Sequence, residues 1–278
     1  MKKGAVIQVI IIASVAVLFV FLTFAPKNFS AETLEKKEEI SSTNELNSQI
    51  KELKEKLSPE NKARVESFEK VLNESSDKSK KIACLDSLVA FWDRNMYPQV
   101  GAVFFEQKAD LANDLSTWTQ AGERFLGISA LPGFEDRVWA LTKAEKAFEK
   151  ALNLNPGDNN LKINKAIVLV EKGEKPMEGV AILKEIVESD PKNTRAILSL
   201  GHFNVKSGEL ERAISRYKQA LEADPNLTEV NFYIADTYGK IGNFAEAKKY
   251  IELYKKTLND TMLINQVNTY MKENYNIQ

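Results

Sequence analysis

The stretch AISRYKQALEADPN, residues Ala213 to Asn226, decides the fold. It sets Ala213, Tyr217, Ala220 and Pro225 in the order small, large, small, proline. Steps of four and three place the first three residues on one face of a helix, and the proline ends that helix. The upstream stretch AEKAFEKALNLNPGD keeps the same order in Ala144, Phe148, Ala151 and Pro156. A third version reads Gly179, Leu183, Ile186 and Pro191. The prolines at 156, 191 and 225 are therefore 35 and 34 residues apart. Moving Thr194–Leu227 forward by 34 residues sets Gly208 on Gly242, Leu210 on Phe244, Ala213 on Ala247 and Leu200 on Ile234. A fixed period of this length is the signature of a stack of identical supersecondary units.

Leu200-Gly201 and Ala213 lie where two helices of a hairpin cross, and small residues there let the backbones approach. Tyr217 and Ala220 face the next hairpin. These residues resemble the tetratricopeptide repeat family, and the resemblance covers roughly Asp114 to Tyr254. It implies an all-α solenoid of helix-turn-helix repeats, at about 114–158, 159–193, 194–227 and 228–260, followed by a capping helix over 261–274. The first unit departs from the pattern. Trp118, Ala121, Gly122 and Phe125 match a first helix, yet Ala144 arrives about ten residues late, after the insertion SALPGFEDRVW. That insertion either lengthens the loop between the helices or extends the second helix backward through Val138 and Leu141. The second unit carries one extra residue near Gly173-Glu174-Lys175-Pro176.

The resemblance also implies a concave groove, lined by the first helices, that holds an extended peptide or a helix of a client or complex subunit. Carried over by position, its candidate lining is Ile163, Ile167, Val170, Arg195, Leu198, His202, Val205, Lys206, Phe232, Asp236, Gly239 and Lys240. Family members that clamp a terminal carboxylate need Lys where this chain has Leu198 and Phe232, and Asn where it has His202 and Asp236. That specialised partner class is not expected. The groove either receives an apolar or amphipathic client segment or is filled by the chain's own helices before Asp114 or after Thr261.

Ahead of the repeats, an uncharged and mostly apolar run covers Gly4 to Pro26. Some twenty apolar residues span a bilayer core of ~30 Å as a helix. Pro26 spoils a leader-peptide cut after Ala25, so the reading is an uncleaved anchor over 1–26 rather than a signal peptide. Lys2 and Lys3 precede the run, while Lys27 after it is soon diluted by Glu32, Glu35, Glu38 and Glu39. The positive-inside rule then keeps the N-terminus cytoplasmic and puts the repeat domain across the inner membrane, in the periplasm or outside the cell. Residues 27–58 read as a polar tether with a short amphipathic helix through Leu46, Ile50, Leu53 and Leu57. Residues 59–113 read as a helical extension opened by Ser58-Pro59-Glu60, with Val65, Phe68, Leu85, Leu88, Val89 and Trp92 inward. No strand is expected, because no period-two run occurs.

Composition narrows function further. The net charge is −1 with Lys and Glu interspersed, whereas phosphate binding wants a one-signed basic field. No nucleic-acid partner is expected. Cys84 and His202 stand alone in their kinds, so no intramolecular disulfide, cysteine-histidine metal cluster or histidine relay can form. Pro132-Gly133 marks a turn, not a phosphate loop. Asp86, Asp93, Arg94 and Glu106 are the only convergent polar groups before Asp114, and they lack metal-type spacing. No cofactor, catalytic residue or small-molecule substrate is expected. The function expected is a membrane-anchored scaffold or adaptor for protein-protein interactions in an envelope complex. The alternatives are an accessory factor for secretion or assembly, and an enzyme hidden in the helices before Asp114.

Overall fold

The computed structural model describes residues 48–277. Among these residues every regular element is a helix. A short helical segment at 48–55 precedes α1 (Pro59–Glu74), α2 (Lys78–Arg94), α3 (Pro98–Ala112), α4 (Leu115–Ser129), α5 (Arg137–Leu154), α6 (Asn159–Lys172), α7 (Pro176–Ser189), α8 (Thr194–Lys206), α9 (Leu210–Ala223), α10 (Val230–Ile241), α11 (Phe244–Lys255) and α12 (Thr261–Tyr275). No described helix is long and apolar enough to cross a membrane. The apolar run 4–26, expected as an anchor, and the tether after it to Asn44 lie outside the described residues.

Polar side chains start these helices by accepting from amide groups that the helix itself leaves unpaired. Asp77, Asp114, Asp158, Asn193, Asn243 and Asp260 each cap the helix that follows. Pro98 and Pro176 occupy first-turn positions, where a missing N–H costs nothing. The repeat prolines act just past the helix ends: α5 stops at Leu154 before Pro156, α7 at Ser189 before Pro191, and α9 at Ala223 before Pro225. Between the two helices of each hairpin, Gly173, Gly208 and Gly242 have φ of 81°, 79° and 85°. A Cβ disfavours that left-handed turn, which accounts for the 34- and 35-residue recurrence of glycine there.

From Ala63 onward the chain forms one compact unit. The pairs α4/α5, α6/α7, α8/α9 and α10/α11 are hairpins, and each second helix packs on the next hairpin's first. Within the hairpins, the close approach is tuned to side-chain size. In the first and third repeats a glycine faces an aromatic ring, Gly122 under Phe148 and Gly201 under Tyr217. In the second and fourth the matching positions are Ala166 with Leu183 and Ala235 with Ile251, each pair within one buried cluster. Burial of such side chains contributes about 1.5–3 kcal/mol each, which is what holds short helices in place.

Both alternatives for the irregular first repeat are realised together. Residues 130–136 form a loop turned by Gly133 at φ 73°, and α5 then runs for 18 residues. Trp139 pins this loop, its ring 5.4 Å from that of Phe125 and 6.4 Å from that of Phe134. The helices before Asp114 are not set apart from the repeats. α2 and α3 pack as a hairpin, and α3 packs on α4 as α5 does on α6. Asp93 of α2 lies over Gly101 of α3 and takes two hydrogen bonds from Arg124 of α4, at 3.3 and 2.7 Å.

Candidate protein-interaction groove

The first helices α6, α8 and α10 carry the groove residues expected from the repeat register. Their polar members are committed to one another. The Arg195 guanidinium donates to the Asn160 carbonyl at 3.2 Å and to Oδ1 of Asn164, tying α8 to α6. Lys206 donates to Glu171 at 3.0 Å, and Arg137 pairs with the same carboxylate. Lys240 reaches Asp236 of its own helix at 2.7 Å. The Arg195 and Lys206 links span about one repeat and bind the first helices α8 and α6 together, whereas the Lys240–Asp236 pair stays within α10.

The apolar members divide. Ile163 is fully buried and Val170 is nearly so, which corrects their expected place in an open groove. Both fill space between helices instead: Ile163 packs in the core with Leu183, Ile197 and Leu200, and Val170 reaches a cleft on the second-helix side. Ile167 and Leu198 are half-buried against the core, and Val205 packs beside Tyr217 and Ile234. His202 is exposed as a residue, and its ring meets Tyr217 and Tyr233 edge-on, at 5.5 and 5.0 Å. Burial of that ring pushes its pKa below the ordinary value, so the imidazole is neutral at physiological pH. Leu198, His202 and Val205 thus form an apolar strip along α8.

At α10 the chain covers its own groove. α12 packs on α10, and Tyr270 and Tyr275 donate to Asp236 Oδ1 at 2.7 and 2.5 Å. The Tyr275 ring lies over Gly239, where a Cβ would approach to 2.7 Å. Phe232 is enclosed between Tyr254 and Tyr270, with ring centroids 5.7 and 5.5 Å away. Burial alone would raise the Asp236 carboxyl, but hydrogen bonds from Lys240, Tyr275 and Tyr270 outweigh it and hold the pKa below its usual range. The filling of the groove by a helix after Thr261 is therefore realised for Phe232, Asp236 and Gly239, while α8 keeps its strip.

The acidic residues before Asp114 are matched by cations. Asp86 pairs with Lys108 at 2.5 Å, Asp93 with Arg124, and Glu106 with Lys143 at 3.0 Å. Each pair joins two helices, and this is an ordinary structural use of charge. Sequence reasoning missed Asn160, Asn164 and Glu171 as groove partners, and Tyr270 and Tyr275 as its lid. Their signal was the repeat offset itself. Asn160 precedes Arg195 by 35 residues, Glu171 precedes Lys206 by 35, and Asp236 precedes Tyr270 by 34.

Stacked helix hairpins with a 34-residue period define an α-solenoid whose surfaces serve to hold other proteins. A tetratricopeptide repeat family model matches residues 204–262, within the stacked hairpins. The chain is 33% identical over 122 residues to the mouse interferon-induced protein with tetratricopeptide repeats 3, covering 43% of this chain and 30% of that protein. It is 29% identical over 135 residues to the general transcriptional corepressor ssn6 of Schizosaccharomyces pombe, covering 48% of this chain and 11% of that protein. The match thus spans less than a third of either relative. Among solved structures it is similar to PilW, described as a widely conserved type IV pilus biogenesis factor. That likeness has 17% identity and a TM-score of 0.48, covering 71% of this chain and 94% of the other.

Proposed function

We propose that this chain is a non-catalytic scaffold that holds an apolar segment of a client or complex subunit along α8, beside a membrane to which residues 4–26 anchor it. The observation that carries the reading is the strip Leu198, His202 and Val205, bounded by Arg195 and Lys206 that are already paired to α6. Lys206 is neutralised by Glu171 and the Arg195 donors are already engaged by Asn160 and Asn164, so the strip itself offers mainly apolar contact to a ligand. An anchored scaffold raises the effective concentration of its surface for membrane-bound clients, so modest groove contacts suffice. The lysine distribution around residues 4–26 supports an extracytoplasmic repeat domain in an envelope complex. Help with secretion or with complex assembly is the same mechanism applied to a transient client.

The test is crosslinking in native membranes from a photoreactive residue at position 198. One abundant protein adduct that disappears with His202→Asp supports the α8 strip. Adducts to the chain's own α12 alone, or none, overturn it. Carbonate extraction and labelling of introduced cysteines from outside the cell test the anchor and the side of the membrane. Release of the chain by carbonate would remove that part of the reading.

A further inference from the structure

The second helices carry a feature that the groove reading does not use. Between α7 and α9, over the end of α8, lies a cleft of about 860 Å³. Its apolar lining comes from Val180 and Met177 on one side and from Leu200 and Phe203 beneath. Met177 is 70% exposed at the mouth, an unusual position for a large apolar side chain in the first turn of a helix. It follows Pro176 in the first turn of α7, at the register where the later repeats expose Glu211 and Ala245.

Charge at the rim is mostly positive. Lys184, Lys206, Arg212 and Arg216 line the cleft against a single acid, Glu209. Glu209 is matched to Arg212 at 2.6 Å, and Lys206 is matched to Glu171. Lys184 and Arg216 have no ion pair among the described residues, and the Arg216 guanidinium donates only to the neutral Gln219 amide. Two unneutralised cations beside an apolar floor are complementary to an acidic amphipathic surface. At Ser215 the cleft meets a second one between α9 and the end of α10, lined by Ile214, Tyr238 and Ile241 with Lys218, Glu211 and Glu222 at its polar edge. A linear apolar track between parallel ridges suits a helix laid along it more than a compact small molecule.

We infer that this cleft docks an acidic amphipathic helix of a partner protein, with Leu, Met or Phe side chains entering beside Met177 and Phe203 and Asp or Glu meeting Lys184 and Arg216. The surface shares with the α8 strip only Lys206, which is already paired to Glu171, so the scaffold engages two proteins at once. The test uses the full chain and a fluorescein-labelled 14-residue helical peptide with leucines one turn apart and glutamates elsewhere. Anisotropy is expected to report binding that weakens with salt and falls at least about tenfold in Lys184→Glu/Arg216→Glu. Met177→Asp, at a site too exposed to threaten folding, weakens it as well, and Leu198→Ser leaves it unchanged. Equal binding of the same peptide with lysine in place of glutamate overturns the proposal. So does a Lys184→Glu/Arg216→Glu protein with wild-type melting and wild-type affinity. Binding to phosphatidylglycerol vesicles in preference to the peptide would assign the cleft to lipid and overturn it equally.

Discussion

Tyr217 lies against Gly201 so closely that a Cβ on the glycine would stand 2.5 Å from the ring's Cε1. The ring is 1% exposed, so it has no free volume into which to retreat. The third repeat therefore depends on a matched pair, the absence of one side chain and the size of another. Two other repeats solve the same packing with alanine and a branched aliphatic residue.

Gly201→Ala is expected to destabilise the protein. Overpacking a closed core costs roughly 1–3 kcal/mol, against ~1 kcal/mol that alanine returns in helix propensity. Gly201→Ala/Tyr217→Leu reproduces the Ala166–Leu183 arrangement of the second repeat and is expected to recover more than the sum of the single changes. A double-mutant cycle from chemical denaturation measures the coupling. Additive losses would mean that the two positions do not share one packing constraint.

Much of this was legible in the chain. The prolines, the turn glycines and the small-large-small order locate the helix pairs, because each records a backbone requirement that few other residues meet. Groove depth was not legible. Ile163 and Leu198 occupy the same register in adjacent repeats, yet one is fully buried and the other half-exposed. The difference depends on what the next helix lays across them, and residue type does not encode that. The role of α12 falls between these cases. Tyr270 follows Asp236 by 34 residues, as Asp236 follows His202, so α12 enters the stack where the next first helix would stand.

The carboxylate of Asp236 makes α12 docking sensitive to acid. Its pKa is lowered on folding, so the stability it contributes is present above the unfolded value and is lost as pH falls through the folded one. Thermal melts from neutral pH to about pH 2 should show the wild type losing this contribution in the acidic range. Asp236→Asn starts lower at neutral pH and converges on the wild type at the acid end. Parallel curves across the whole range would remove the carboxylate from the account of α12.

Asp158 gives a local test of how the helices begin. Its Oδ1 accepts from the amides of Asn160 and Leu161 at 2.8 and 3.2 Å. Asp158→Ala leaves both donors without that partner at the start of α6 and is expected to cost ~1 kcal/mol, whereas Asp158→Ser or Asp158→Asn keeps most of the stability. Urea denaturation with unchanged slope distinguishes a lost cap from a changed unfolded state.

Phe232→Ala separates a nearest-neighbour stack from a single rigid core. The ring touches Tyr233, Tyr254 and Tyr270, so its removal loosens α10 against both α11 and α12. In a solenoid each hairpin is coupled mainly to the next, and the damage should remain near its source. Amide exchange is therefore expected to quicken over Thr261–Tyr275 and at the end of α11, while α4 to α6 keep their protection. The two tyrosine hydrogen bonds to Asp236 still hold α12, so Phe232→Ala/Tyr270→Phe should expose it further than either change alone. Uniformly faster exchange from α4 to α12 would show that the compact unit opens as one body. Graded loss toward the C-terminal end would show that α12 can lift from Asp236 and uncover the last first helix without unfolding the rest.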